Sequence, residues 1–116
     1  MIAVEVEALE VFGHHGVTDE ERERGQTFLY DLRLEVPEAA LSDRLEDTVD
    51  YVAVAELVQE VSNGRRFNLL EALAGAVADA LAERFAVGHL RVRVRKRDVE
   101  PAGLAVAWTA ATVERP

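Results

Sequence analysis

The sequence predicts an α+β fold, an antiparallel β-β-α-α-β-β arrangement whose four-stranded sheet carries two helices on one face. Two observations predict it. Stretches near both ends alternate apolar and polar residues with period two, while the middle repeats its apolar residues at helical spacing. The turn-forming residues also fall between these stretches rather than inside them.

The first strand sets Ile2, Val4, Val6 and Ala8 against Ala3, Glu5 and Glu7. Its phase then slips, because Leu9 and Val11 are apolar while Glu10 is not. One extra residue flips every side chain that follows, so the slip predicts a β-bulge near residues 8–9. Gly13-His14-His15-Gly16 ends the strand. The charged connection 17–26 offers Thr18 or Asp19 to cap a single helical turn and Gly25 to stop it. In the second strand Phe28, Tyr30, Leu32, Leu34 and Val36 face one way and Asp31, Arg33 and Glu35 the other, with Pro37 as terminator.

Residues 38–50 are acidic and irregular. A helix follows, with Val54, Leu57, Val58 and Val61 on one stripe and Asn63-Gly64 as its stop. The next helix opens at Asn68-Leu69-Leu70-Glu71, buries Leu70, Leu73, Val77 and Leu81, and ends at Gly88. Ala74, Gly75, Ala76, Ala78 and Ala80 keep it slim enough for close packing. Asn68 and Glu71 have the spacing of a capping box; the same carboxylate is also placed to be a fixed anion at the mouth of a pocket. Leu90, Val92 and Val94 alternate with Arg91, Arg93 and Arg95 in the third strand, and residues 96–103 form a turn. Leu104 to Val113 is expected as the fourth strand, with Leu104, Val106 and Trp108 on one face.

At 116 residues the chain is expected to form one domain, 1–116, and its 49% apolar content argues for a packed core. No apolar run approaches the roughly 20 residues of a membrane span, and the N-terminus lacks the basic start of a signal peptide. A soluble cytoplasmic protein, with no membrane partner, is the expectation. The absence of cysteine excludes disulfides, thiolate catalysis and a cysteine-ligated zinc. The net charge of −9 is uneven: residues 1–60 hold 16 acidic and 4 basic side chains, residues 61–116 hold 6 and 9. We read these as complementary halves that face one another in an assembly. A polyanion requires a net cationic surface, so nucleic acid is not an expected partner. His14 and His15 are adjacent, hence on opposite faces of a strand, and the spacing of His89 gives no reason for a three-histidine zinc site. There is no Gly-rich phosphate loop. No metal and no cofactor is expected. Two exposed sheet edges invite pairing with further copies, and closure around a ring would join such sheets into one barrel.

Four side chains at element ends are candidates for chemistry: Glu21 in the first loop, Tyr51 before the first long helix, Glu71, and Lys96 at the end of the third strand. Each has a plain alternative. Glu21 lies in an acidic turn with Asp19, Glu20 and Glu23; Tyr51 could be a core aromatic; Glu71 could only cap; Lys96 could be a surface cation. Lys96 is nevertheless the single lysine, with arginine at the other twelve basic positions. Lysine can be driven towards neutrality where arginine cannot, and the flanking Arg95 and Arg97 are like charges that disfavour an ammonium.

The set Gly13-x-x-Gly16, Glu21, Gly25-Gln26-x-Phe28, Asp47-Thr48-Val49-x-Tyr51, Asn68-Leu69-Leu70-Glu71 and Val92-x-Val94-x-Lys96 resembles the dihydroneopterin aldolases of folate biosynthesis. The resemblance covers essentially the whole chain, in order. It implies the tunnelling fold, a homo-oligomer of one or two tetrameric rings, active sites between subunits, and a small-molecule pterin substrate. It further implies that Glu71 accepts hydrogen bonds from the pterin amino group and ring N–H, with the Leu70 backbone beside it. Tyr51 of a neighbouring subunit would lie against the pterin and take part in proton transfer. Glu21 would bind the side-chain hydroxyls, and Lys96 would be the general acid/base. One departure from the family pattern is that Lys96 is followed by Arg97 rather than proline. The fold and core residues are also similar to those of an epimerase acting on dihydroneopterin triphosphate, which Arg65, Arg66 and Arg97 could serve. A non-catalytic pterin- or purine-binding module would keep Glu71 but leave Lys96 and Tyr51 unexplained.

Overall fold

A computed structural model describes residues 1–116. Its sheet has the spatial order β1 (Ile2–Gly13), β2 (Gln26–Val36), β3 (Leu90–Lys96), β4 (Thr109–Arg115), antiparallel throughout. A short helix α1 (Asp19–Arg24) joins the first two strands, and α2 (Tyr51–Gly64) and α3 (Leu70–Arg84) intervene between β2 and β3. The expected element order and the two-helix cover on one face both hold. Helix α3 lies over β3 and β4, while α2 packs on β1 and against α3.

Alternation in the sequence becomes the division between core and open face. Phe28, Tyr30, Leu32, Leu34 and Val36 of β2 and Leu90, Val92 and Val94 of β3 are buried beneath Val54, Leu57 and Val58 of α2 and Leu73, Val77 and Leu81 of α3. Burying an aliphatic or aromatic side chain contributes about 1.5–3 kcal/mol, so this interleaved layer holds the helices to the sheet. On the other face Arg33 meets Glu5 at 3.5 Å and Arg95 meets Asp31 at 2.7 Å.

The bulge falls where the phase slip places it. Val6 pairs with Leu32, but Leu9 pairs with Tyr30, so Glu7 and Ala8 together oppose Asp31. Ala8 takes a φ of 55°, and its N–H, freed from the ladder, donates to the Asp31 carboxylate at 2.9 Å. The slip returns Val11 to the core, at 4% exposure.

Three expected boundaries differ. The fourth strand begins at Thr109, not Leu104, because its partner β3 ends at Lys96 and Lys96 pairs with Thr109. Leu104, Val106 and Trp108 alternate as a strand would, yet no strand lies beside them and they remain exposed. Trp108 instead lies against the Arg95 guanidinium, 4.7 Å from its ring centre. Helix α3 ends at Arg84 rather than Gly88, since the Gly88 N–H donates to the Glu35 carbonyl at 3.0 Å and so already continues the β2 ladder. The helix also begins one residue later than a cap at Asn68 requires: Leu69 is the N-cap and makes no side-chain capping bond.

Candidate functional site

One cavity of about 240 Å³ gathers the ends of several elements. His15, Gly16 and Val17 enter it from the loop after β1, and Phe28 from β2. Asn68, Leu69, Leu70 and Glu71 come from the approach to α3 and its first turn, Lys96 and Val99 from the end of β3 and the turn beyond, and Thr109 and Ala110 from β4. The structure therefore brings together three of the sequence candidates, Leu70, Glu71 and Lys96.

Glu21 joins them through Lys96, whose Nζ lies 3.0 Å from its Oε2. The local fold explains this placement. Thr18 is the N-cap of α1, and its hydroxyl accepts the Glu21 N–H at 3.1 Å. Glu21 reaches back with Oε1 towards the Thr18 N–H and hydroxyl, at 3.4 and 3.3 Å. The capping box of this chain is thus Thr18–Glu21, not Asn68–Glu71. The second carboxylate oxygen of Glu21 is left for the lysine. A Cβ on residue 16 would lie 2.5 Å from the Glu21 Cβ, so Gly16 is the residue that lets α1 settle against the cavity. The hydrogen bond from Lys96 holds the Glu21 carboxyl below the usual carboxylate range; partial burial opposes this and the Thr18 bonds reinforce it. Glu21 is a carboxylate at neutral pH.

The flanking arginines are not free like charges beside Lys96. Arg95 is taken by Asp31, and Arg97 lies 3.2 Å from Glu10. Each of the three successive cations has its own carboxylate, and the Lys96 side chain, 12% exposed, is the one that lines the cavity. Arg65 stacks over the Phe67 ring at 4.2 Å, and neither it nor Arg66 nor Arg97 is among the lining residues. The cationic set expected for a triphosphate is not assembled at this cavity.

Glu71 carries no bond back to Asn68. Asn68 Oδ1 accepts from Arg22 Nη1 at 3.2 Å, and the same nitrogen donates to the Gly16 and Val17 carbonyls at 2.8 Å each. The Glu71 carboxylate, near the positive end of α3, is free for a ligand carrying paired donors. Tyr51 stands apart: it opens α2, is 65% exposed and does not line this cavity.

Sequence reasoning passed over two residues here. Arg22 was one charge in a charged loop, with no signal to distinguish it. His15 was weighed only as a zinc ligand, yet it is 2% exposed and hydrogen-bonded on both ring nitrogens. No group of three or more His, Asp or Glu side chains is arranged to hold a metal ion. No helix is long and apolar enough to cross a membrane.

The family model for dihydroneopterin aldolase matches residues 4–114. A dihydroneopterin aldolase of Streptococcus pyogenes is 38% identical over 106 residues, which cover 89% of each chain. That of Streptomyces coelicolor is 43% identical over 100 residues, covering 84% of each. The crystal structure of Escherichia coli dihydroneopterin aldolase in complex with neopterin superposes with a TM-score of 0.88 at 31% identity, covering 100% of both chains. With cavity, sheet order and near full-length match in agreement, the chain belongs to the dihydroneopterin aldolase family.

Proposed function

We propose that the protein cleaves 7,8-dihydroneopterin by a retro-aldol reaction, giving 6-hydroxymethyl-7,8-dihydropterin and glycolaldehyde in folate biosynthesis. The observation that carries this reading is the convergence of Glu71 and the Glu21–Lys96 ion pair on one cavity in a chain of this family. Glu71 accepts from the pterin amino group and ring N–H, and the backbone of Leu70 holds the ring edge. The hydroxylated side chain then extends to Glu21 and Lys96. Lys96, as the neutral amine left once its own proton has passed to solvent, takes the proton of the 2′-hydroxyl through a water; the bond between C1′ and C2′ breaks, and its electron pair passes into the ring C=N. Returning a proton to C1′ completes the pterin product. The substrate supplies its own electron sink, so neither a Schiff base nor a metal is required. Positioned proton transfer is typically worth about 10²–10⁴-fold in rate. Epimerisation at C2′ follows if glycolaldehyde re-adds before leaving.

Tyr51 enters this scheme from a second subunit. Its exposure beside that of Val52 and Leu69, together with the unpaired outer edges of β1 and β4, supports a homo-oligomeric ring whose sheets join as a barrel; we take its single-domain subunits to act in the cytoplasm. The test is direct. Purified protein given 7,8-dihydroneopterin in the presence of a chelator releases glycolaldehyde; no release refutes the reading. Mixing Tyr51→Phe and Lys96→Ala subunits restores part of the lost rate if the tyrosine is donated across an interface, and restores none if it serves its own chain.

A further inference from the structure

Between β1 and α3 lies a buried contact that the proposed chemistry does not use. The His15 ring sits between the Phe28 and Phe67 rings, with centroids 5.2 and 5.4 Å away. Its Nδ1 lies 3.0 Å from the Phe67 N–H, and its Nε2 lies 3.0 Å from the Ser62 hydroxyl of α2. A backbone N–H can only donate, so Nδ1 must present its lone pair. The ring is then the neutral tautomer with its proton on Nε2, donating to Ser62. Gly16 completes the tie, its N–H donating to the Phe67 carbonyl at 2.9 Å. Both backbone groups of Phe67 are thereby held by the loop after β1. A Cβ on residue 13 would lie 2.6 Å from both His15 Nε2 and Ser62 Oγ, so Gly13 leaves the space in which this bond forms.

We propose that His15 is a positioning residue for the reaction: its Nδ1 acceptor fixes the segment running from Phe67 to Glu71 and so sets where the Leu70 backbone and the Glu71 carboxylate meet the pterin. The proposal rests on the reading of this cavity as the pterin site. Phe67 is 3% exposed and precedes the cavity-lining residues 68–71 without a gap, so movement at its amide is passed directly along the chain. Arg22 holds Asn68 from the solvent side, and His15 holds Phe67 from the core side. Burial pushes the imidazole pKa down to about 4, with a smaller contribution from His14, which agrees with a ring kept neutral for its acceptor.

Two variants separate the two ring nitrogens. In His15→Asn the side-chain oxygen can replace Nδ1 and keep the Phe67 bond; in His15→Gln the amide reaches Ser62 and leaves the Phe67 N–H buried without an acceptor. We expect the Phe67 amide to exchange with deuterium at least about tenfold faster in His15→Gln than in His15→Asn, with KM for 7,8-dihydroneopterin higher by a similar factor and kcat within about twofold. Equal exchange and equal KM in the two variants, or a loss confined to kcat, overturns the proposal. A long-range 1H–15N spectrum of the unaltered protein adds a measurement that no folding failure can remove: it should show His15 protonated on Nε2 alone, and an Nδ1–H ring overturns the proposal. If the unaltered protein releases no glycolaldehyde, the aldolase reading fails, while the exchange comparison and the ring spectrum still decide the tie.

Discussion

Acidification should weaken this fold through His15. The imidazole pKa falls from 6.5 to about 4 on folding, chiefly through burial. Between these values the unfolded chain binds a proton that the native chain refuses, so stability rises with pH across the window and is lost as pH falls through it. At about 1.4 kcal/mol per pH unit, the loss between pH 7 and pH 5 is about 2 kcal/mol, approaching about 3 kcal/mol below pH 4. Other groups titrate too, so the measurement is a difference. Urea unfolding of the native chain and of His15→Asn, at one fixed protein concentration, is followed at pH 7, 6, 5 and 4.5. Asparagine does not titrate, so the advantage of the native chain over the variant should shrink by about 2 kcal/mol from pH 7 to pH 5. A difference constant within about 0.5 kcal/mol over that range would show that the ring is not held neutral, and the reasoning from burial would fail.

Other substitutions read the remaining parts of the site. Lys96→Ala should lower kcat by about 10²–10⁴-fold while leaving pterin affinity within a few-fold, as isothermal titration with neopterin and single-turnover rates would report. Glu71→Ala should do the reverse, weakening pterin binding by about 10- to 100-fold through loss of a charged acceptor for paired donors. Equal effects of both changes on binding and turnover would contradict the division of roles. Gly13→Ala should cost about 1–3 kcal/mol in urea unfolding, because the new methyl group must displace a buried imidazole and its serine partner.

Much of the fold was legible because hydrophobic alternation is a direct record of which face is buried. Phe28 to Val36 gave β2 its core face, and the slip at Ala8–Leu9 located the bulge, since register errors in a half-buried strand move whole side chains into water. The same rule misled at Leu104–Trp108. Alternation describes a surface, whereas a strand also needs a partner, and where β3 stops is not written in the residues of β4. Trp108 takes its place from Arg95, a residue thirteen positions away, through a contact that no local pattern encodes. Tyr51 is a similar case: the sequence marks it as a candidate, but the cavity within one chain does not include it.

The site itself was legible in its residue types and illegible in its bonding, and Glu21 shows why. A Ser/Thr-x-x-Glu spacing occurs at Thr18–Glu21, and an Asn-x-x-Glu spacing at Asn68–Glu71; local spacing alone cannot say which carboxylate closes a box. The sheet decides. The β2–β3 register sets Lys96 opposite Phe28, close to where α1 delivers Glu21, so that carboxylate can serve its helix with one oxygen and the lysine with the other. At α3 the Asn68 side chain is drawn off by Arg22, which removes the cap that Glu71 would have reciprocated. The arginine that holds the loop therefore also leaves the Glu71 carboxylate free. On that reasoning Arg22→Lys, whose single ammonium cannot both hold Asp19 and reach the two carbonyls and Asn68 as the two terminal guanidinium nitrogens do, should raise KM for 7,8-dihydroneopterin by about three- to tenfold without a comparable fall in kcat. An unchanged KM would mean that Glu71 keeps its position without the clamp.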